Sequence, residues 1–315
     1  MTSVYNEKTT SPLVTKIKGY SLDDGPGIRS VVFFKGCPLD CVWCHNPETK
    51  KSSNELYYEK TKCTGCESCI AACPRNAISF SGGSFIDRDA CRCCFQCVDV
   101  CPSDALSRAG KELRVDEIVG ELRRYKPFFD ASGGGITLSG GEPCLHMDFI
   151  SLLCRSFREE GIHVLLETCG LFDLAGFEEL VLPFITEIYF DIKLISSRTH
   201  KKYCGVGNER ILENFSFLQR KSITDGFNLT PRTPLIPNIT DEWENLDAII
   251  GFYIENGVKK ATLLPNNPAW MPKLEGLGRT DSFTPEDPIR RLYSIEKKAA
   301  IGKTFRNKGI HIDFG

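Results

Sequence analysis

The sequence predicts an α/β fold in which a parallel sheet carries helices on its outside. Candidate strands and helices alternate through most of the 315-residue chain. They recur at intervals of about thirty residues, which is typical of βαβ units and parallel sheets. Residues suited to chemistry repeatedly follow a candidate strand. We therefore expect a barrel-like sheet, whole or partial, with the functional site at the carboxyl-terminal rim of its strands.

The strand and helix signals follow one another in a regular order. The apolar, β-branched run 30–34 predicts the first strand. Apolar residues at helical spacing predict helices over 115–125 and 149–160, and Gly161 ends the second of them. Further strands are expected at 136–138, 163–167, 187–193, 227–230 and 260–264. The loops that follow these parallel strands should therefore meet at one edge of the sheet.

Three cysteines follow the first predicted strand at a spacing that suits one iron–sulfur cube. Cys37, Cys41 and Cys44 form the pattern C-x3-C-x2-C. Three protein ligands leave one iron of a [4Fe-4S] cluster open, so a small molecule can chelate that iron. The spacing resembles the one by which radical S-adenosylmethionine (SAM) enzymes leave a site for SAM.

Two longer cysteine runs have the spacing C-x2-C-x2-C-x3-C-P of bacterial two-cluster ferredoxins. The first run contains Cys63, Cys66, Cys69 and Cys73, and the second contains Cys91, Cys94, Cys97 and Cys101. In such modules the fourth cysteine ligates the other cluster, so Cys101 is expected with the first run and Cys73 with the second. Zinc held by pairs of C-x2-C thiolates is the alternative. A disulfide framework suits a short secreted chain instead.

Five cysteines have no ligand spacing. Cys93 lies inside the second run and is left over by the ferredoxin pattern. The other four are expected to be buried as small apolar side chains, and they are Cys144, Cys154, Cys169 and Cys204.

The composition is that of an ordinary soluble enzyme. Hydrophobic residues make up 41% of the chain, and the formal net charge is -2, which gives no electrostatic case for nucleic acid. No apolar run approaches the roughly 18 residues of a membrane helix. The amino terminus carries no basic-then-apolar signal. We therefore expect a cytoplasmic protein with reduced thiols and no contact with membranes.

Five groups of residues together resemble a glycyl radical enzyme activating enzyme of the radical SAM class, related to the pyruvate formate-lyase activating enzyme. They are Asp-Gly-Pro-Gly-Ile-Arg at 24–29, Phe-Lys-Gly-Cys-Pro-Leu at 34–39, the cysteine triplet with His-Asn-Pro-Glu at 45–48, Gly-Gly-Glu-Pro at 140–143, and Asp-Ile-Lys at 191–193. The resemblance covers nearly the whole chain. It is greatest to activators of dehydratases, decarboxylases and fumarate-adding synthases, which carry a two-cluster ferredoxin insert.

This resemblance implies a domain arrangement and a set of cofactors. Residues 1–52 and 110–315 would form a partial (βα)6 TIM-like radical SAM barrel, and residues 53–109 a ferredoxin-like (α+β) insert. The cofactors would be three [4Fe-4S] clusters, of which one binds SAM, together with SAM itself and a monovalent cation.

The resemblance also assigns roles to residues around SAM. Asp191 and Lys193 would lie in the active site, and the cofactor contacts would include Trp43, Asn46, Gly140, Gly141, Glu142, Glu167, Thr168, Arg232 and Asn267. Glu167, Thr168 and Asp191 would hold the cation, although relatives carry Asp at the position of Glu167. Each residue also has an ordinary alternative: core packing for Trp43, a plain turn for the glycines, and a surface charge for Arg232.

The implied partner is a separate glycyl radical enzyme, whose glycine loop would be gripped by Asp24, Gly25, Pro26, Gly27 and Arg29. A simple Gly-Pro-Gly turn is the alternative for this loop. The reductant would be flavodoxin or ferredoxin, and the chain a monomer. Two other functions stay open: a radical SAM enzyme for a small molecule or peptide, and a plain electron-transfer protein. The sequence leaves the identity of the activated enzyme open.

Overall fold

A nine-stranded, mostly parallel sheet forms the frame of the computed structural model, which describes residues 11–80 and 85–315. The described residues contain eleven strands, of which all but β3 and β4 belong to this sheet. They are β1 (Leu13–Ser21), β2 (Arg29–Phe34), β3 (Leu56–Tyr58), β4 (Leu106–Arg108), β5 (Lys111–Glu112), β6 (Gly135–Gly140), β7 (His163–Thr168), β8 (Glu187–Asp191), β9 (Asn228–Leu235), β10 (Lys260–Pro265) and β11 (His311–Phe314). The sheet order is β11-β10-β9-β8-β7-β6-β2-β1-β5. From β2 to β11 neighbouring strands are parallel, whereas β1 pairs antiparallel with β2 and β5.

Helices connect the parallel strands. They are α1 (Ser68–Ala71), α2 (Gln96–Asp99), α3 (Val115–Leu122), α4 (Lys126–Ser132), α5 (Met147–Glu159), α6 (Leu174–Leu180), α7 (Ser197–Cys204), α8 (Glu209–Asp225), α9 (Trp243–Glu255), α10 (Met271–Gly276) and α11 (Ile295–Asn307). Every helix in the described ranges is too short or too polar to cross a membrane.

The two faces of the sheet differ in polarity. Successive side chains of a strand point to opposite faces. In β6, Ile136 and Leu138 belong to the main hydrophobic core, whereas Thr137 and Ser139 lie on the opposite face. The same alternation puts Glu167 of β7 on that polar face. Strand pairing therefore gathers polar side chains on one side of the sheet.

Most predicted elements are confirmed within two residues at each end. The predicted strands 30–34, 136–138, 163–167 and 260–264 and the helix 149–160 correspond to β2, β6, β7, β10 and α5. The prediction for 115–125 holds in part, because α3 ends at Leu122 and a 3-10 turn follows.

Two predicted strand ends were wrong. The strand expected at 187–193 ends at Asp191, so Lys193 lies beyond it. The strand expected at 227–230 continues to Leu235, and Arg232 therefore lies inside β9 rather than after it. Pro231 and Pro234 conceal this continuation, because proline lacks the donor that a ladder needs and usually argues against a central strand. Sequence reasoning also missed β1, β5 and β11.

The cysteine-rich segment forms its own small structure beside the large sheet. β3 and β4 pair antiparallel, and Ile78 bridges Ile86. A separate hydrophobic cluster contains Leu56, Cys69, Ile78, Ile86, Cys97 and Leu106. Residues 81–84 of the predicted insert, and 1–10 of the predicted larger domain, lie outside the described residues.

Candidate functional site

The cysteine triplet lies in a loop that follows β2 and is tied to the chain on two sides. Cys37 N–H donates to Lys50 O at 3.0 Å. Asp40 N–H donates to Cys204 O at 2.8 Å, and Val42 N–H to Tyr203 O at 3.0 Å, so the end of α7 supports the other side. These backbone bonds fix the loop without using any thiol.

Two of the triplet thiols have pKa values shifted from the ordinary value of a cysteine thiol. Burial raises the pKa of Cys44 to about 12. A hydrogen bond from the Cys204 thiol lowers the pKa of Cys41, and the positive charge of Lys193 acts in the same direction. A metal ion removes such protons by direct bonding to the thiolate. The residues present therefore fit an iron–sulfur ligand set.

Two cysteines that were expected only to fill space lie against the triplet. The Cys169 thiol forms a hydrogen bond with Cys37, and the Cys204 thiol forms one with Cys41. Both are buried, as the sequence predicts. Their contact with the triplet has no local sequence signal, because it joins residues far apart in the chain.

The Gly-Gly-Glu segment follows β6 directly against the cysteine loop. Gly140 has φ +107°, and a Cβ there would lie 2.5 Å from Phe34 N, so glycine is required. The Glu142 side chain is fully buried, and its Oε2 accepts hydrogen bonds from Cys169 N–H at 2.7 Å and Thr168 Oγ1 at 2.9 Å. Its Oε1 accepts from Cys144 N–H at 3.0 Å. Glu142 thus joins the ends of β6 and β7 and does not offer its carboxylate to a ligand.

Four charged and largely buried side chains form a continuous network at the same rim. Lys193 Nζ donates to Asp191 Oδ2 at 2.9 Å. Arg232 Nε donates to Asp191 Oδ1 at 3.0 Å, and its Nη1 pairs with Glu167. Ser139 Oγ donates to the other oxygen of Glu167 at 2.6 Å. Burial favours a neutral Asp191, but the charges of Lys193 and Arg232 hold its pKa below the ordinary value.

The structure argues against a monovalent cation at the predicted position. Glu167 and Asp191 both pair with Arg232, and Thr168 donates to Glu142. The guanidinium carbon also stacks 5.1 Å from the centre of the Tyr189 ring. A guanidinium therefore already neutralises the two carboxylates that were expected to bind the cation.

Three other predicted contacts have definite positions. Trp43 is buried in the main core, as its packing alternative predicts. Asn46 Oδ1 accepts from Lys273 Nζ at 3.0 Å and so anchors the cysteine loop to α10. Asn267 is exposed, and its Oδ1 accepts from Ala269 N–H at 3.0 Å. This capping bond directs Asn267 to the following turn rather than to the rim.

The neighbouring Asn266 is the buried asparagine. Its Nδ2 donates to Ile289 O at 2.8 Å and to Arg291 O at 3.0 Å. Its Oδ1 is buried with no hydrogen-bond partner among the described residues. The sequence could not distinguish these adjacent asparagines, because only the end of β10 decides which one faces inward.

The loop at 24–28 lies on the polar face of the sheet but toward the amino-terminal ends of its strands. Asp24 O accepts from Thr137 Oγ1 at 2.7 Å, and the Asp24 carboxylate pairs with Lys18 at 3.1 Å. Arg29 is fully buried. Its Nε donates to Thr137 Oγ1 at 2.6 Å, and its Nη1 to Pro26 O at 3.3 Å. Arg29 therefore holds the loop from inside, which corrects the expectation that its side chain grips a partner.

The eight cysteines of the ferredoxin-like runs line two separate cavities. The first cavity is lined by Cys63, Cys66, Cys69 and Cys101, with Tyr58, Phe85 and Leu106 among its apolar walls. The second cavity is lined by Cys73, Cys91, Cys94 and Cys97, with Leu56, Ile78 and Phe95 among its walls. The fourth cysteine of each run thus lies with the other run, as the ferredoxin rule predicts.

The two runs also share an unusual backbone. Left-handed φ angles occur at matching places in both: Gly65 and Cys93, Glu67 and Phe95, Asn76 and Asp104. Cys93 has φ +50°, lines the second cavity as a fifth thiol, and occupies the place of a glycine in the first run. The internal duplication is therefore present in the backbone conformation as well as in the sequence.

The sequence matches a known family over more than half of its length. Residues 31–249 match the model described as the radical SAM superfamily. The "Trans-4-hydroxy-L-proline dehydratase activating enzyme" of Clostridioides difficile is 43% identical over 260 residues, which cover 81% of this chain and 84% of that protein. The "Isethionate sulfite-lyase activating enzyme" of Nitratidesulfovibrio vulgaris is 38% identical over 266 residues, covering 82% of this chain and 85% of that protein.

A solved structure shares the fold. A radical SAM methyltransferase from Sphaerobacter thermophilus superposes with a TM-score of 0.54 at 15% identity, covering 97% of this chain and 77% of that chain. This likeness concerns the fold only.

The internal role of Arg29 can be tested by its effect on stability. Replacing it (Arg29→Met) leaves Thr137 and the carbonyl of Pro26 without their donors, so we expect the free energy of unfolding to fall by about 3 kcal/mol. Arg123→Met, at an exposed arginine, should change it by less than about 0.5 kcal/mol. Urea unfolding followed by circular dichroism measures both. Unchanged stability in Arg29→Met, with activation of a partner lost, would instead favour a direct grip.

Proposed function

The chain belongs to the radical SAM superfamily, within the activating enzymes of glycyl radical enzymes, and from this premise we propose how its residues divide the work. One observation carries the proposal: the cysteine triplet, the Gly-Gly-Glu segment and the Asp191–Lys193 pair lie together at the carboxyl-terminal rim. Cys37, Cys41 and Cys44 would hold a [4Fe-4S] cluster with one open iron. With SAM bound there, an electron from the cluster cleaves SAM to methionine and a 5′-deoxyadenosyl radical, which abstracts hydrogen from a glycine of the partner enzyme.

The charges at the rim suit the two ends of the amino acid part of SAM. Lys193 is buried and tethered to Asp191, so it offers a fixed positive charge to a carboxylate. Because three protein donors already bind the carboxylate of Glu142, we assign the ammonium group to the backbone carbonyls at Gly140 and Gly141. Trp43 would contact the adenine of SAM. These residues bind and orient the cofactor, and none needs to transfer a proton.

Arg232 supplies the positive charge that a monovalent cation would otherwise supply. Its guanidinium bridges Glu167 and Asp191 and supplies a positive charge to both carboxylates without an added ion. An arginine suits this position because its planar fork can donate to two carboxylates at once. The proposal therefore contains SAM and iron–sulfur clusters and no monovalent cation.

The two cavities of residues 53–109 would each hold a [4Fe-4S] cluster, which gives three clusters in all. Four cysteines and an apolar wall at each cavity support this proposal. No group of three or more His, Cys, Asp or Glu side chains within 11–80 or 85–315 is arranged to hold a metal ion. A zinc ion needs four thiolates about 2.3 Å from one point. The proposal of iron–sulfur cubes rather than zinc rests on the C-x2-C-x2-C-x3-C-P spacing of both runs and on the exchange of the fourth cysteine between the cavities.

The remaining parts of the proposal concern shape and partners. Residues 1–52 and 110–315 would form a partial (βα)6 barrel around the polar face of the sheet, and the partner's glycine loop would reach that face beside Asp24. A flavodoxin or ferredoxin would supply the electron to a monomeric, cytoplasmic enzyme. The relatives are named for different partner enzymes, including a dehydratase and a sulfite-lyase.

The assignment of the triplet can be tested by counting iron and following SAM. The anaerobically reconstituted chain should contain about twelve irons, and Cys41→Ala about eight, because only the SAM cluster is lost. The variant should form no 5′-deoxyadenosine and no glycyl radical by electron paramagnetic resonance (EPR). Cys154→Ala, which removes a buried cysteine within α5, should keep all three readouts. Twelve irons and undiminished SAM cleavage in Cys41→Ala would refute the assignment.

The absence of a cation requirement gives a second test. At constant ionic strength, exchanging K⁺ or Na⁺ for choline should change the rate of SAM cleavage by less than about twofold, since Arg232 already neutralises both carboxylates. The measurement is 5′-deoxyadenosine formation after exhaustive ion exchange. A rate restored more than about tenfold by one alkali ion would show that this ion displaces Arg232 from its carboxylates.

A further inference from the structure

The two cavities of the ferredoxin-like segment differ in how they contact the rest of the chain. The described hydrogen bonds of the residues around the first cavity stay within residues 53–109, as in Glu59 N–H to Ala105 O at 2.7 Å. The second cavity lies next to Arg88, whose Nη2 donates to Gly276 O of α10 at 3.0 Å. Its Nη1 donates to the carbonyl of Leu56, a wall residue of that cavity.

The same short helix contacts the cysteine triplet loop. Lys273 Nζ donates to His45 O at 2.8 Å, and it pairs with Glu48 at 3.2 Å. Arg279, just beyond α10, donates to Pro47 O at 2.8 Å. His45 directly follows Cys44 in the sequence. One helix therefore bridges the second cavity and the triplet loop.

Arg88 is also a partly buried cation whose hydrogen bonds are to neutral carbonyls. It is half-buried, it forms no ion pair among the described residues, and its Nε has no hydrogen-bond partner there. A desolvated charge is costly unless an opposite charge compensates it. The sulfurs of Cys91 and Cys93 are its foremost attractive electrostatic neighbours. An anionic, thiolate-ligated cluster in the second cavity would supply the missing negative charge.

The described lining of the first cavity contains no cation. Lys60 lies three residues before Cys63, just as Arg88 lies three residues before Cys91, but Lys60 is exposed. The charged residue in the described lining of the first cavity is Glu67, whereas that of the second cavity contains the exposed Arg75 and Arg92 in addition to the neighbouring Arg88. Added negative charge on a reduced cluster is therefore compensated in the second cavity and opposed in the first.

We infer that the second cavity is the inner electron site, adjacent to the radical-forming cluster, and that Arg88 gives its cluster a higher reduction potential than the cluster of the first cavity. The inference rests on the proposed function, because it requires a cluster in each cavity. One electron from a low-potential carrier would enter the first cavity, reduce the inner cluster by one electron, and be held there next to the triplet loop. Net charge and burial are established controls of cluster potential.

The potential is tested by anaerobic redox titration of the three-cluster protein, followed by EPR. Addition of SAM identifies the signal of the triplet cluster, because SAM alters that signal alone. Arg88→Gln should lower one of the two remaining potentials so that the reduced-to-oxidised ratio at fixed potential falls about tenfold, which corresponds to 59 mV for one electron. Lys60→Gln is the matched control and should shift neither potential measurably. No shift in Arg88→Gln, or equal shifts in both variants, would overturn the inference.

The position is tested by magnetic relaxation. Cys66 and Cys94 are equivalent exposed ligands of the first and second cavities. Loss of the inner cluster in Cys94→Ala should slow the spin relaxation of the reduced triplet cluster, and loss of the other cluster in Cys66→Ala should leave it nearly unchanged. The reverse pattern would overturn the inference. Iron content distinguishes a failure of the proposed function from a failure of this inference. About four irons in the unmodified protein would refute the proposal of clusters in the cavities. About twelve irons with equal relaxation in both variants would refute only the inner-site assignment.

Discussion

The buried network of Glu167, Arg232, Asp191 and Lys193 is the interaction on which the site depends. Two acids and two bases neutralise each other where little water reaches them. Removing one member of such a network leaves an uncompensated charge, at a cost of about 3–5 kcal/mol. Asp191 and Arg232 are paired in register on adjacent parallel strands, so the sheet itself sets their separation. Lys193 lies just beyond β8 and is held by its ion pair with Asp191, whose position the strand pairing sets.

This arrangement limits what the rim can offer to a cofactor. The carboxylates of Glu142, Glu167 and Asp191 all have partners within the protein. A ligand ammonium group must then find backbone carbonyls, while a ligand carboxylate finds Lys193 already charged. The Gly-Gly-Glu segment contributes to this rim in two ways. Its glycines bring the backbone close to the cysteine loop, and its acid holds β6 and β7 together.

Local patterns predicted the elements and ligands that depend on local spacing. The apolar run of β2 and the cysteine runs are contiguous in sequence, so both were predicted in place. Arg232 was misplaced because Pro231 and Pro234 obscure β9, and Asn267 was chosen over Asn266 because burial at a strand end depends on neighbouring strands. The contacts of Cys169 and Cys204 with the triplet join distant segments. No pattern in a single sequence predicts such contacts, because they depend on the strand order and on the position of α7.

The duplicated cysteine runs show that equal backbone geometry does not imply equal electrostatics. Matching left-handed residues give both runs the same turns, and each cavity receives four cysteines of the ferredoxin pattern, with Cys93 as a fifth thiol in the second cavity. The cation that precedes each run has a different environment, because Arg88 donates to Gly276 of α10 whereas Lys60 is exposed. The exposed charge of Lys60 is screened by solvent and salt within about 8 Å. Arg88 is shielded by Gly276 and Leu56, so its charge acts through a less polar medium. Docking of one repeat against the larger sheet is therefore enough to make two similar cavities unequal.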